Sequence, residues 1–109
     1  MVDEPIALII RKYLQNLQRH HIPVAYGVIY GSQARGEATE MSDIDLLVVS
    51  PRFDGDHKRT DINLLWRVAA RVDSRIEPIP VGQNQFITDD SSAIIEIARR
   101  EGHIITLTE

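Results

Sequence analysis

Cysteine is missing from this sequence, which excludes disulfides and thiolate chemistry. A reducing, cytoplasmic home is the natural expectation. Aromatic residues are sparse at 6%, with a single tryptophan, Trp66. No apolar run approaches the roughly 18–20 residues of a membrane-spanning helix. The opening residues Met1-Val2-Asp3-Glu4-Pro5 carry no basic segment ahead of an apolar stretch, so no signal peptide is expected. Positive charge is also short: 12 Lys and Arg stand against 16 Asp and Glu, a net charge of −4. A broad grip on nucleic acid needs many Lys and Arg contacts to phosphates, so no such surface is expected. Repeats, low-complexity segments and linkers are absent. What remains is 109 residues with 43% apolar and 26% charged side chains. That composition implies one small globular domain spanning residues 1–109.

The hydrophobic pattern predicts an α/β domain. From Pro5 to His20, Ile6, Ile9, Ile10, Tyr13, Leu14 and Leu17 recur at helical spacing. His20 and His21 follow; adjacent positions point apart, so a helix-end role is preferred to a metal pair. Val24 to Tyr30 reads as a central strand, with Tyr26, Val28 and Tyr30 on one face and Gly27 and Ile29 on the other. A second strand is expected from Asp43 to Ser50. A turn-rich loop, Pro51 to Asp56, comes next; its aspartates lack the spacing of a calcium loop. Thr60 or Asp61 is expected to cap a helix whose buried stripe is Ile62, Leu65, Trp66, Ala69 and Val72. Arg67 and Arg71 read as exposed helix charge. A third strand is expected from Arg75 to Val81, where Pro78 and Pro80 suit a sheet edge. Gly82 to Asp90 reads as a loop, Ser91 to Arg100 as a helix burying Ile94, Ile95, Ile97 and Ala98, and His103 to Leu107 as a closing strand.

One stretch concentrates chemistry-bearing residues. Tyr30-Gly31-Ser32-Gln33-Ala34-Arg35-Gly36 ends the first strand, and Ser42-Asp43-Ile44-Asp45 opens the second. Gly31 allows a sharp bend and close approach of backbone to a ligand. Ser32 begins a short helix whose first amides suit a phosphate, with the Ser32 hydroxyl and the Arg35 guanidinium as further contacts. Asp43 and Asp45 are one residue apart in an extended segment, so they share a face, with Cα atoms roughly 6.5 Å apart. Carboxylates so placed can share cations about 3.5–4 Å apart, the arrangement of two-metal phosphoryl transfer. Ser42 either orients the aspartates or phosphate or is a plain polar residue at the strand's start. Glu77 is a carboxylate within an apolar strand, which is costly unless it has a partner.

Gly31-Ser32-x-Ala34-Arg35-Gly36 followed by Ser42-Asp43-x-Asp45-Leu46 and a valine strand resembles the minimal nucleotidyltransferases of the DNA polymerase beta superfamily. The closing Arg100-Glu101-Gly102-x-Ile104-Ile105 is also similar to that family. The resemblance covers most of the chain. It implies a mixed sheet of about four strands flanked by helices, with Gly31 and Ser32 on the triphosphate of ATP and Asp43 and Asp45 on Mg2+. It further implies a third carboxylate, for which Glu77 is the candidate, beside the attacking hydroxyl. Such proteins pair with helical HEPN toxins, so the resemblance implies an antitoxin that moves AMP onto a tyrosine of such a partner. Self-association is compatible with it. Two alternatives stand beside this: a module that neutralises a toxin by binding alone, and a transferase acting on a small antibiotic-type hydroxyl.

Overall fold

The computed structural model of the chain describes residues 2–108. The ends of the expected 1–109 domain, Met1 and Glu109, lie outside the described residues. Helix α1 spans Glu4–Arg19, with Pro5 in its first turn, where a missing amide hydrogen costs nothing. It buries Ile6, Ile10, Tyr13, Leu14 and Leu17. Strand β1 (Tyr26–Tyr30) leads into the one-turn helix α2 (Ser32–Arg35). Strand β2 (Ile44–Ser50) is followed by a 3-10 turn and by helix α3 (Arg59–Val72). Strand β3 (Ile76–Gly82), helix α4 (Gln83–Thr88), helix α5 (Ala93–Glu101) and strand β4 (His103–Ile105) complete the chain.

The four strands lie in the order β3-β2-β1-β4. β1 runs antiparallel to both β2 and β4, and β2 runs parallel to β3 through the α3 crossover. The expected mixed four-stranded sheet with flanking helices is therefore present, with β1 and β2 central. Both faces are covered, which is why β2 reads as a continuous apolar run. Ile29, Ile44, Leu46, Val48 and Ile76 meet α1 and α3 on one face. Val28, Leu47, Val49 and Val81 meet α4 and α5 on the other. A fully buried leucine such as Leu46 contributes about 2 kcal/mol through the area it removes from water. Gly27 faces α1, where a Cβ would stand 3.0 Å from both Leu14 and Leu46, so the helix packs directly onto the strand. β3 is an edge strand, as Pro78 and Pro80 require.

Several expectations are corrected. β2 begins at Ile44, so Asp43 stands just ahead of the strand. Residues 82–90 are not a plain loop. They hold α4, whose first amides are capped from a distance: the Asp54 carboxylate accepts from the Asn84 and Gln85 amides at 3.0–3.1 Å. α3 starts at Arg59 without a side-chain cap. Asp61 instead lies buried in its first turn and accepts two hydrogen bonds from Arg52, at 2.9 and 3.0 Å. Trp66 is 48% exposed, and Val68 takes its expected place in the core. Ile94 is likewise exposed, while Ile95 and Ala98 face inward as expected. β4 ends at Ile105, two residues early. No helix among the described residues is long and apolar enough to cross a membrane.

Candidate active site

The strand directions gather the end of β1 and the starts of β2 and β3 at one end of the sheet. Tyr30 is registered against Asp45 across the antiparallel pair, and Asp45 against Glu77 across the parallel pair. These three side chains form a row on one face, since directly opposed residues share a face. The same face carries the Leu47 and Val49 core beneath α4 and α5. Asp43 stands exposed just before β2, and its charge acts on both Asp45 and Glu77.

Glu77 and Asp45 are both disturbed by their surroundings. Burial raises the Glu77 carboxyl above its ordinary range, and the charges of Asp43 and Asp45 raise it further. Burial also raises Asp45, reinforced by Asp43 and opposed by Arg35. Burial and then the charges of Asp45 and Glu77 push the Tyr30 phenol up to about 12. Negative charge concentrated in this way, away from a strong basic partner, is a mark of functional sites. Arg75 does not relieve it. Its guanidinium is bound to Asp73 at 2.8 and 3.1 Å.

Gly31 closes the row from above. It adopts φ 74° and ψ −149°, a backbone region essentially confined to glycine. A Cβ built there would collide with Asp45 Oδ2. The intrahelical bonds of α2 begin with the Ala34 and Arg35 amides to the Gly31 carbonyl, at 3.1 Å. The Ser32 and Gln33 amides therefore precede the helical ladder. Gly36 ends the turn in the left-handed conformation.

Of the residues expected at the site, Gly31, Ser32, Asp43, Asp45 and Glu77 converge here. Arg35 is exposed and paired with Glu37, with Glu101 3.9 Å away. The Ser42 hydroxyl accepts from the Thr39 amide at 2.9 Å, which closes the turn before Asp43. Two neighbours were not read from the sequence. Gln33 is 6% exposed and donates to the Asp43 carbonyl at 3.4 Å, tying α2 to the start of β2. Tyr30 stands in the row itself. Its position before the Gly-Ser turn and on the Asp45 face of the sheet is a signal that strand register alone reveals.

The profile of the nucleotidyltransferase domain family matches residues 10–100. The chain belongs to that family. A crystal structure of a candidate nucleotidyltransferase from Sulfolobus solfataricus is similar, with a TM-score of 0.60 at 15% identity, over 90% of this chain and 77% of that one. A toxin-antitoxin structure with AMP-PNP is also similar, with a TM-score of 0.60 at 19% identity, over 91% of this chain and 74% of that one. At these identities the likeness is one of fold. No curated protein matches the chain.

In this nucleotidyltransferase domain the donors suit a hard cation. All three are carboxylates, and Mg2+ takes oxygen ligands. As they stand, no three acidic or histidine side chains among the described residues close into a metal-holding group. Mg2+ commonly draws its remaining ligands from substrate phosphates and water. A cavity of about 750 Å³ lies elsewhere, between the segment Phe53–His57 and α4. It adjoins the opposite ends of β2 and β3, so it is separate from the carboxylate row.

Proposed function

We propose that the chain transfers AMP from ATP onto a hydroxyl, with Mg2+, and that the acceptor is a tyrosine of a HEPN-type helical toxin. The observation that carries this reading is the register Asp45–Glu77, with Asp43 just ahead of β2 and Gly31 pressed against Asp45. Asp43 and Asp45 would hold Mg2+, with Glu77 as the third ligand. Bound magnesium supplies positive charge for the α-phosphate and the departing pyrophosphate.

The chain's own groups do the rest. The side-chain-free Gly31 lets the triphosphate lie against backbone. The Ser32 hydroxyl and its amide donate to phosphate oxygens. Arg35, released from Glu37 and Glu101, can turn toward the outer phosphates. Ser42 and Gln33 hold the Asp43 turn rather than touching substrate. The Glu77 carboxylate accepts the proton of the attacking hydroxyl; its raised affinity for protons suits that role. The acceptor oxygen bonds to the α-phosphorus as the bond to the β-phosphate bridging oxygen breaks.

Antitoxin action through a cytoplasmic HEPN partner rests on the resemblance in the motifs and on the similar fold of the toxin-antitoxin structure. Intact-mass measurement of the co-expressed partner tests it. The partner should gain one or more AMP units with ATP and Mg2+, and none with the Asp43→Asn, Asp45→Asn double variant. A stable complex without mass gain would establish neutralisation by binding instead.

A further inference from the structure

The row of carboxylates includes a hydroxyl that no step of the proposed transfer employs. Tyr30 lies directly opposite Asp45, on the face shared with Glu77. Its ring packs against the cluster that contains Leu47 and Val81. It is half-buried. Its hydroxyl makes no hydrogen bond among the described residues, unlike Tyr13, whose hydroxyl donates to the Leu65 carbonyl at 2.9 Å. The phenol is near enough to both Asp45 and Glu77 to feel their charges.

We propose that Tyr30 is an acceptor within the chain's own site, so that the protein transfers one AMP from ATP onto the Tyr30 hydroxyl. This rests on the nucleotidyltransferase reading above. The step balances without any further reactant. The Tyr30 oxygen bonds to the α-phosphorus, the bond from the α-phosphorus to the bridging oxygen breaks, and pyrophosphate leaves. The phenolic proton passes to the Glu77 carboxylate. No redox change occurs.

The other hydroxyls are less suited. Tyr13 is fully buried beneath α3. Tyr26 is registered with Val49, four residues back along β1, roughly 13 Å from Tyr30 at the usual strand rise. Its ring is spent on Phe86, with centroids 5.9 Å apart. Ser42 and Thr39 are bonded to one another in their turn. Ser32 is the residue assigned to phosphate in the proposed reaction. A nucleotide fixed to Tyr30 would also cover Asp45 and Glu77, so the modification should stop at one AMP and silence the chain that carries it.

The test is intact-mass and peptide-mapping analysis of the purified chain alone, incubated with ATP and MgCl2. A parallel reaction contains the HEPN-type partner. The expected result is a gain of one AMP per chain, mapped to the peptide holding Tyr30. The gain should be lost in Tyr30→Phe and in the Asp43→Asn, Asp45→Asn variant. Mapping on the unaltered chain locates the adduct even if Tyr30→Phe folds poorly. AMP on the partner with none on Tyr30, or an adduct at another residue, would overturn self-transfer and leave the transferase standing. Absence of transfer to either protein, with no pyrophosphate released, would overturn both.

Discussion

The Asp45 carboxylate occupies the space in which any side chain at Gly31 would begin. The turn proposed to receive phosphate and the strand that carries Asp45 are thus in direct contact, and the contact exists only because residue 31 has no Cβ. Gly31→Ala must both adopt a backbone region closed to it and displace Asp45. The strain alone should cost about 1–3 kcal/mol. Urea unfolding should show that loss, and nucleotidyl transfer should fall much further than the loss of folded protein explains. Wild-type transfer by this variant would mean that Asp45 need not stand where it does.

Asp45 and Glu77 also set a pH dependence. Both are raised above their ordinary values, first by burial and then by neighbouring carboxylates. A raised acid weakens the fold when ionised. The penalty is full above the folded-state value and is relieved as pH falls through it. Asp43→Asn with Asp45→Asn should therefore abolish transfer yet melt slightly higher than wild type at neutral pH without metal. The gap should narrow as the solution is acidified. MgATP should stabilise the wild type in the same melting experiment and leave the double variant unmoved.

Asp89 and Asp54 behave in the opposite sense. Hydrogen bonds from Ser91 hold Asp89 down at about 2, and the Asn84 amide leads the groups that depress Asp54. Their contribution is present above the ordinary carboxylate value and is lost as pH falls through the depressed one. Asp54→Ala should raise amide hydrogen exchange across Gln83–Thr88 while leaving β2 protected. Equal protection in α4 would show that the distant cap is dispensable.

These cases separate what the chain announces locally from what it does not. The apolar stripes of α1 and α3, the continuous run of β2 and the Gly31-Ser32 turn are local patterns, and the fold class follows from them. Glu77 as an oddity within a strand is also local; its place opposite Asp45 is a register, fixed by pairing between distant segments. α4 was hidden because Gln83, Asn84 and Gln85 look like loop residues, and their amides are satisfied by Asp54, about thirty positions earlier. Trp66 was misplaced because a helical stripe has width, and the sequence does not say on which side it ends. Asp61 looked like a cap, and only its partner Arg52 shows why a carboxylate is buried there.

That pair gives a stability prediction independent of catalysis. Arg52→Ala leaves the buried Asp61 carboxylate without its two donors and should cost about 2 kcal/mol in urea unfolding. Adding Asp61→Ala should recover part of the loss, because the stranded charge goes with it. If the double variant were less stable than the single, the pair would be valuable for packing and not for charge compensation.

Glu77 is the sharpest test of the site. In the proposed reaction its carboxylate serves the acceptor, whereas the triphosphate contacts fall to Gly31 and Ser32. Glu77→Gln keeps the shape but cannot take a proton. It should lower kcat by about 10²–10⁴-fold, the usual range for loss of a general base, with KM for ATP little changed. Glu77→Asp keeps the charge but withdraws it by one methylene, so it should retain more activity than Glu77→Gln at every pH. Single-turnover measurement with ATP and the partner protein distinguishes these outcomes. A Glu77→Gln variant with wild-type kcat would remove Glu77 from proton transfer. Loss confined to KM would place Glu77 in substrate binding instead.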